Sequence, residues 1–422
     1  MIMKSHLLSL AALCFTPLLA QHPTETVLSI TSTPRHLQEA PMRTRTVMDD
    51  GTMLLCDSTL TYDGPSQDLP RSKTEYTYDA FGNTTSIVFY SLRNGMWVAY
   101  SKSEYTYDAN GNQTSVVSYN WQDGVWAAYE KHEYTYDDCG NQTSEAYYDK
   151  RYNGAWVGSY KFEYTYDTYG NLTSQVDYSW LNGAWAEGRV KHEYTYDANG
   201  NRTSWERYNW QDGVWAAYDK QEYTYDVYGN QTSSDYYYWQ NGEWVVSYKC
   251  IMEYTYDDNG NLTIEERYRY NWFSGAWEGE YNYEYTYDVY GNKTSQVYYS
   301  WQDGTWVVNH KYECIYDANG HQTSVVYYDK WYYDSWVGSW KYEYTYDAYG
   351  NLSSKEKYNW RNGTWILDYK ILYFYSLHNI ESLDQISFDT PSQASRKQLL
   401  PEGRIVINRD GRSYDLGGQM MK

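Results

Sequence analysis

The sequence predicts an all-β protein built from about ten copies of one β-hairpin, arranged as a long antiparallel meander. Two different turn signals alternate along residues 71–375, and the segments between them show the period-two pattern of strands. The composition agrees, because the 422 residues include 56 Tyr and 20 Trp but only 7 Phe and 8 Pro, and Tyr and Trp favour strands.

The first turn signal reads Tyr-Asp, two residues, Gly-Asn, one residue, then usually Thr-Ser. In the copy from Tyr107 to Thr114, Asp108 suits the first position of a type I turn, and Gly111 suits the left-handed position after it. This combination predicts a hairpin with a Gly bulge. The glycines of the copies are Gly82, Gly111, Gly140, Gly170, Gly200, Gly229, Gly260, Gly291, Gly320 and Gly350.

The second turn signal is usually Asn-Gly or Asp-Gly, then one residue, then Trp. The pair Asp123-Gly124 accepts the positive φ angles of a tight hairpin turn. In the ninth repeat Asp334-Ser335 replaces this pair. The tryptophans that follow the turns are Trp97, Trp126, Trp156, Trp185, Trp215, Trp244, Trp277, Trp306, Trp336 and Trp365.

Strand alternation predicts that the rings gather on one face of the sheet. Even steps from Trp126 reach Ala128, Glu130, His132, Tyr134 and Tyr136, whereas the odd positions are mostly Thr, Lys, Glu and Asp. A twist of about −20° per strand, summed over about twenty strands, should curl this ribbon into an open spiral or a shell. We also expect bulges or longer twists in the fourth and sixth repeats, where the Trp-to-Tyr spacing is longer than usual.

The ends of the chain differ from the repeats. Residues 1–20 have the short charged start and the apolar run of a secretory signal peptide. Residues 21–70 contain partial repeats and are predicted to be an N-terminal cap that blunts an open sheet edge. Residues 376–400 are predicted to be a linker. Residues 401–422 are predicted to form a short hairpin turning at Asp410-Gly411.

The four cysteines after the signal peptide do not suggest a disulfide framework. Cys250 and Cys314 lie two repeats apart, which corresponds to about 19 Å between their strands. A disulfide requires Cα atoms within about 7 Å. We interpret Cys56, Cys139, Cys250 and Cys314 as sporadic substitutions.

The formal net charge of −21 disfavours nucleic acid as a partner, because its binders need a basic stripe. It also disfavours adsorption to an anionic membrane surface, and no membrane span is expected once the signal peptide is removed. We expect a location outside the cytoplasm, either secreted or on the outer surface of a Gram-negative bacterium.

The Tyr-Asp-x-x-Gly-Asn-x-Thr motif, as in residues 107–114, resembles the tyrosine-aspartate (YD) repeats of RHS-type proteins across all ten copies. In that family the hairpins wind into a shell that can enclose a toxic C-terminal domain. Here the period is longer, a Gly-x-Trp turn is added, and no long cargo domain follows. The repeat also resembles that of uncharacterised exported proteins of gut and oral anaerobes. Residues 413–419 resemble part of a type IX secretion sorting domain, which implies surface delivery.

No enzyme motif is evident. The sequence contains neither a Gly-x-Ser-x-Gly elbow nor a phosphate-binding loop, and His132, His192 and His310 lack the spacing of metal ligands. Asp108, Asn110 and Asn112 match the first ligands of a calcium loop, but the twelfth position is Tyr119 rather than Glu. We expect no catalytic residue, metal site or cofactor, and interpret these residues as turn formers.

Tryptophan pairs that flank the Gly-containing turn are the candidate binding residues. They are predicted either to pack across the strands or to offer aromatic platforms to sugar rings. Three functions are therefore considered for the protein. The first is a scaffold or adhesin, the second is a glycan- or cell-wall-binding module, and the third, implied by the family resemblance, is an RHS-like shell. The partner would be a polysaccharide or another surface protein. The candidates are Trp121, Trp126, Trp180, Trp185, Trp210, Trp215, Trp239, Trp244, Trp301 and Trp306.

Overall fold

The computed structural model describes residues 45–47, 52–64, 68–150, 154–331, 335–379, 396–399, 405–409 and 412–414. All elements in these ranges are β-strands, and the repeats form consecutive antiparallel hairpins, which confirms the all-β prediction. The predicted signal peptide, residues 1–20, lies outside the described residues, as do most of the linker and most of the residues that resemble a sorting domain.

Twenty-six strands are described. They are β1 (Arg45–Val47), β2 (Thr52–Asp63), β3 (Ser72–Tyr78), β4 (Thr84–Arg93), β5 (Met96–Tyr107), β6 (Gln113–Gln122), β7 (Val125–Tyr136), β8 (Gln142–Lys150), β9 (Trp156–Tyr166), β10 (Leu172–Leu181), β11 (Ala184–Tyr196), β12 (Arg202–Gln211), β13 (Val214–Tyr225), β14 (Gln231–Gln240), β15 (Glu243–Tyr256), β16 (Leu262–Asn271), β17 (Ala276–Tyr287), β18 (Lys293–Gln302), β19 (Thr305–Tyr316), β20 (Gln322–Trp331), β21 (Ser335–Tyr346), β22 (Leu352–Arg361), β23 (Thr364–Asn379), β24 (Arg396–Leu399), β25 (Ile405–Arg409) and β26 (Arg412–Tyr414).

Strand β2 closes the sheet into a barrel of 22 strands, β2 to β23. On one side it pairs with β3, and on the other it pairs with β23 from Thr52↔Asn379 to Asp63↔Tyr369. The predicted open spiral or shell is therefore wrong. Closure satisfies the N–H and C=O groups that two open edges would leave unpaired. Strand β2 belongs to the predicted N-terminal cap. It joins the two edges of the array instead of covering one of them.

The register explains how the ladder meets its own beginning. Glu104 pairs with Val117, and Val117 pairs with Lys131. Lys131 lies two residues before Glu133, the counterpart of Glu104 in the next hairpin. Each hairpin therefore steps by about two residues, and the steps sum to roughly the number of strands. When the summed step equals the number of strands, the strands tilt by about 36° from the barrel axis. With 22 strands the barrel radius is then about 20 Å, and side chains cannot fill so wide an interior.

Both turn predictions are confirmed. In the Tyr-Asp turn, Gly111 has a φ of 81° and donates its N–H to the Asp108 carbonyl at 3.1 Å, while Asp108 donates its own to the Asn112 carbonyl at 2.9 Å. In the Gly-x-Trp turn, Asp123 and Gly124 have φ angles of 49° and 83°. Two positive φ values define the type I′ turn, whose twist matches that of the flanking strands.

The prediction that one face gathers the rings is wrong. Tyr119 pairs with Ala128 and Ser118 with Glu130, so Tyr129 is an extra residue in a bulge. An extra residue shifts the alternation of side chains by one position, so the residues after it face the opposite side of the sheet. Trp126 therefore shares a face with Lys131 and Glu133 rather than with Tyr134 and Tyr136.

We call the two surfaces the Trp face and the Tyr face. In the β6–β7 hairpin the Trp face carries Trp121 and Trp126, Tyr119, Lys131, Glu133 and Thr135. The Tyr face carries Val116, Ser118, Glu130, His132, Tyr134 and Tyr136. All other repeat hairpins have the same division, because each has a register shift at the same place. These shifts are at Phe89/Tyr90, Tyr147/Tyr148, Val176/Tyr178, Arg207/Tyr208, Tyr236/Tyr237, Arg267/Tyr268, Tyr298/Tyr299, Tyr327/Tyr328 and Lys357/Tyr358.

The Tyr face lines the interior of the barrel. Curvature brings side chains together on the concave side and separates them on the convex side. Most of the buried repeat residues belong to the Tyr face, among them Asp219, Ser234, Cys250, Tyr283, Gln296, Cys314, Val325 and Tyr344. The Trp face is therefore the outer surface, and its Thr135 position is exposed in every repeat.

The fourth and sixth repeats accommodate their added residues differently. The fourth has a wider bulge, in which a Cβ on Gly188 would lie 1.2 Å from the Asp177 carbonyl oxygen, so only glycine fits. The sixth keeps the usual bulge and extends β15 to 14 residues. Because side chains alternate with period two, two extra residues preserve the facing of a strand and one does not. The expected irregularity is therefore a wider bulge in the fourth repeat and a longer strand without an extra bulge in the sixth.

Two shorter elements complete the description. Strand β1 pairs with the beginning of β2, and β24, β25 and β26 form a separate antiparallel sheet near the C-terminus. Strand β23 continues to Asn379, beyond the predicted start of the linker at 376. The described ranges contain no helix that could cross a membrane.

Candidate functional site

The predicted tryptophan pairs are direct cross-strand partners on the outer face. Trp121 pairs with Trp126 one position before the type I′ turn. In all five predicted pairs the two ring centroids lie 4.8 to 5.0 Å apart at interplanar angles of 68 to 82°. This edge-to-face contact is the geometry that the ring quadrupoles prefer. The packing role of the pairs is therefore established by their geometry.

A sixth pair was not among the sequence candidates. Trp360 and Trp365 are cross-strand partners, with ring centroids 4.9 Å apart at 68°. The signal that could have identified it was present, since Trp360-Arg361-Asn362-Gly363-Thr364-Trp365 has the same spacing as the other pairs.

Each of three pairs rests on a glycine of the preceding hairpin. A Cβ added to Gly158 would lie 2.4 Å from the Trp180 ring, and one added to Gly279 would lie 2.5 Å from the Trp301 ring. Gly338 has the same relation to Trp365, at 2.7 Å. Where the next hairpin lacks a pair, Val246 and Val308 occupy this position. At these three positions a side chain would therefore collide with the tryptophan rings of the next hairpin.

A lysine from the preceding hairpin covers the second tryptophan. The Lys102 Nζ lies 5.1 Å from the Trp126 ring centroid and 4.5 Å from that of Tyr119. The same ammonium donates to the Glu104 carboxylate at 2.6 Å. Cation–π contact of this kind adds about 0.5–1 kcal/mol at an exposed site. The second tryptophan of a pair is thus held by the first tryptophan and by the lysine ammonium group of the preceding hairpin.

In three of the six pairs the first tryptophan keeps an accessible surface. Trp121, Trp210 and Trp239 are 43%, 38% and 41% exposed, whereas their partners are half-buried. The pairs do not converge on one pocket, because they lie around the outside of the ring. Those of β10–β11, β12–β13 and β14–β15 are in consecutive hairpins, about 12 Å apart. These three pairs form the most extended aromatic surface.

Sequence reasoning missed a polar network on the inner face. Asp219, 1% exposed, accepts a hydrogen bond from the Arg207 Nε at 2.9 Å and another from the Tyr236 hydroxyl. Nearby, burial and the Arg207 charge lower the pKa of His192 to about 4. A second network joins Arg267 to Glu280 at 2.9 Å. These residues lie at positions that vary among the repeats, so the repeat pattern gave no signal for them.

The turn aspartates are fully engaged within their own turns. The Asp108 Oδ1 accepts from the Asn110 and Asn112 backbone N–H groups at 2.9 and 2.8 Å, and Oδ2 accepts from the Asn112 side chain at 3.0 Å. In the equivalent turn at Asp257, the side-chain hydrogen bond from Asn261 lowers the pKa of the carboxyl group. In the described residues no group of three His, Cys, Asp or Glu is placed to hold a metal ion.

The described cysteines are free thiols. Cys56, Cys250 and Cys314 are buried, and Cys139 is exposed at the tip of a Tyr-Asp turn. Burial raises the pKa of Cys56 to about 12 and also raises the pKa values of Cys250 and Cys314. A thiol held protonated is a poor nucleophile, so the three buried cysteines act as small apolar side chains.

No protein-family model and no curated protein matches the chain. Among solved structures, a protein of unknown function from Bacteroides fragilis is similar at 26% identity, over 31% of this chain and 93% of that one, with a TM-score of 0.24. The TcdB2-TccC3 structure is similar at 12% identity, over 89% of this chain and 23% of that one, with a TM-score of 0.34. A porin-like protein from Bacteroides uniformis is similar at 10% identity, over 71% and 100%, with a TM-score of 0.25.

Proposed function

We propose that this chain is an exported, non-enzymatic scaffold of YD-like hairpins whose outer face is a repeated interaction surface at the surface of a Gram-negative cell. The observation that carries the proposal is the closed ladder, in which β2 joins both ends of the array. A closed ring without free edges presents its repeated hairpins at fixed spacing. The residues that resemble a sorting domain are consistent with surface delivery.

Charges on the outer face favour water rather than lipid as its surroundings. Lys–Glu pairs recur at mid-strand with N–O distances near that of Lys102 and Glu104, 2.6 Å. Each lysine or arginine facing lipid at the midplane would cost about 2–4 kcal/mol. The pairs are Lys73–Glu75, Lys102–Glu104, Lys131–Glu133, Lys161–Glu163, Lys191–Glu193, Lys220–Glu222, Lys311–Glu313 and Lys341–Glu343.

Localisation tests the proposal. Antibody labelling of intact cells that produce the full chain should detect the protein at the outer surface. A chain that lacks residues 401–422 should remain inside the cell envelope at unchanged abundance. Labelling that requires permeabilised cells for the full chain would contradict a surface scaffold.

The exposed first tryptophans favour a second candidate function, glycan binding by the outer face. Aromatic rings with one open side suit the apolar faces of sugar rings. The pairs of three consecutive hairpins, in which Trp210 and Trp239 are exposed and Trp180 is half-buried, would contact a polysaccharide chain at several points. Several weak contacts along one chain raise the overall affinity.

Tryptophan fluorescence during titration with cell-wall and host polysaccharides tests this second function. The triple variant Trp180→Ala, Trp210→Ala, Trp239→Ala should abolish the fluorescence change. The double variant Trp121→Ala, Trp301→Ala, which alters two pairs outside the consecutive group, is the matched control and should retain it. The absence of any change with every polysaccharide would remove this function.

A further inference from the structure

A continuous band of aromatic rings crosses the inner face of the barrel from β17 to β21. The centroids of successive rings lie 4.7 to 5.8 Å apart. With neighbouring strands about 4.8 Å apart, the band is about 20 Å long. We call these residues the inner aromatic band: Tyr283, Tyr298, His310, Tyr312, Tyr327 and Trp340.

The centre of the inner aromatic band carries little charge. Two cross-strand rows of residues run through it in β18, β19 and β20, and only Asp329 among them carries a formal charge. By contrast, the inner face of β12, β13, β16 and β17 holds the ion pairs Arg207–Asp219 and Arg267–Glu280. The charge distribution therefore favours a neutral ligand at the band. The two rows are Tyr298, His310 and Asp329, and Gln296, Tyr312 and Tyr327.

Two polar side chains of this region are buried without a hydrogen-bond partner. Gln296 and Tyr283 are each 1% exposed, and neither the Gln296 amide nor the Tyr283 hydroxyl has a partner among the described residues. Gln296 lies between rings, because its cross-strand partners are Tyr285 in β17 and Tyr312 in β19. A buried polar atom without a partner is costly. A bound molecule that pairs with these atoms would remove that cost.

The chemistry of these groups favours a sugar as the ligand. The Gln296 amide offers a hydrogen-bond acceptor and two donors at one point, and adjacent sugar hydroxyls can pair with both kinds of group. The C–H faces of a sugar ring can stack on aromatic rings such as that of Trp340. A purely apolar ligand would leave the amide unpaired, and an ionic ligand would find no matching set of charges. Rings combined with a few polar groups are the usual composition of a ligand site.

Side chains rather than strands control access to the Gln296 amide. The rings of Tyr298, Tyr327 and Trp340 are half-buried and face the centre of the barrel, which is too wide for side chains to fill. A rotamer change of the Tyr312 ring towards this centre would uncover the amide and leave the strand pairing intact. An extended ligand could then contact several rings along the band, and several weak contacts along one ligand raise the overall affinity.

We propose that the inner aromatic band binds a neutral oligosaccharide inside the barrel. Tyr327 and Trp340 stack on the faces of the sugar rings. The Gln296 amide and the Tyr283 hydroxyl pair with sugar hydroxyls once the Tyr312 ring has turned aside. This site lies on the opposite face of the wall from the tryptophan pairs, so it does not depend on glycan binding by the outer face.

Calorimetric titration of the chain without its predicted signal peptide tests the site, with cellohexaose, xylohexaose, maltohexaose and chitohexaose as probes. At least one of these sugars should bind. Gln296→Leu, which removes the amide at similar size, should abolish the heat of binding, and Trp340→Leu should weaken binding about tenfold or more. Tyr160→Leu is the matched control, because Tyr160 is an inner ring of β9 outside the band, and it should bind as the native chain does. The outer triple variant Trp180→Ala, Trp210→Ala, Trp239→Ala should also bind normally.

Thermal unfolding without sugar separates a binding role of Gln296 from a structural one. Gln296→Leu should raise the unfolding midpoint, because it removes buried polar atoms that lack partners. A lower midpoint would show that the amide is already paired, for example with an ordered water molecule, and would overturn the proposal. So would the absence of binding by every one of these sugars at millimolar concentration, or binding that survives Gln296→Leu. Binding of an unfolded polypeptide, reduced carboxymethylated α-lactalbumin, without binding of any sugar would assign the band to protein and also overturn the proposal.

Discussion

The outer and inner faces of the barrel wall differ in how regularly their residues repeat, although the same strands form both faces. On the outer face, Lys, Glu, Tyr, Trp and Thr recur at the same positions in most hairpins. On the inner face, the positions of Ser118 and Glu130 are taken by Arg207 and Asp219 in β12–β13, and by Tyr327 and Trp340 in β20–β21. The repeat is therefore maintained on the outside and varied on the inside.

Packing explains this difference. Each outer group contacts its equivalent neighbours in the adjacent hairpins, as Lys102 does with Tyr119 and Trp126, so a change in one hairpin affects the next. The inner groups are crowded by curvature and form local clusters that need to satisfy only their own members. Inner clusters can therefore specialise without disturbing the ring.

The largest expected effect compares two carboxylates of strand β13. Asp219→Ala should lower the free energy of unfolding by about 3 kcal/mol, because Arg207 and Tyr236 lose a buried partner. Glu222→Ala, on the outer face, removes a carboxylate with 45% side-chain exposure and should cost less than about 1 kcal/mol. Urea unfolding of both variants measures the difference. Equal losses would contradict the distinction between the faces.

A smaller effect concerns pH and the inner His192. Burial lowers the pKa of His192 to about 4 in the folded protein, from its ordinary value of 6.5. The unfolded chain therefore takes up a proton first as the pH falls, and the stability present above about pH 6.5 is lost towards pH 4. Between about pH 7.5 and 5 this loss amounts to about 2 kcal/mol.

His192→Gln is the control for this pH effect. Urea midpoints at the two pH values should differ less in the variant than in the native chain, because the carboxylates contribute equally to both. An identical pH dependence in the two proteins would show that His192 titrates normally and that the inner face is not dry there.

The smallest expected effect concerns the tyrosine hydroxyls that join the two strands of one hairpin at the barrel edge formed by the Tyr-Asp turns. The Tyr136 hydroxyl donates to the Gln113 carbonyl at 2.8 Å, and Tyr136→Phe should cost about 1 kcal/mol. Tyr129→Phe, which alters a ring that is 41% exposed, should be neutral. Thermal unfolding compares the two variants. Equal unfolding midpoints would mean that these hydrogen bonds stabilise the fold no more than hydrogen bonds from the hydroxyl to water.

The local elements of this fold could be predicted from sequence, and the global ones could not. Asp108 and Gly111 specify one turn and Asp123-Gly124 the other, because positive φ angles and side-chain acceptors are properties of single residues. The bulge at Tyr129 carries no glycine signal, so the change of facing was missed. Closure depends on the register steps summed around the ring and on the pairing of β2 with β23, which no single repeat reveals.

The candidate site shows the same limit. Sequence spacing identified five of the six tryptophan pairs, because a pair depends only on its own hairpin. It did not identify the glycine below three of the pairs, such as Gly158, since that contact joins different hairpins. Nor did it find Asp219 or His192, whose environment arises only when the ring curves.

A disulfide across the seam tests the central claim, closure of the ring, most directly. Thr61 and Ile371 are paired residues of β2 and β23, so the double variant Thr61→Cys, Ile371→Cys should oxidise readily, in a background in which Cys139→Ser removes the exposed thiol. Non-reducing electrophoresis should show a compact monomer, because the bond closes nearly the whole array into one loop. The mismatched pair Thr61→Cys, Ile366→Cys should not form it. Failure of the matched pair to oxidise in the folded protein would mean that the two ends do not meet and that the array is open.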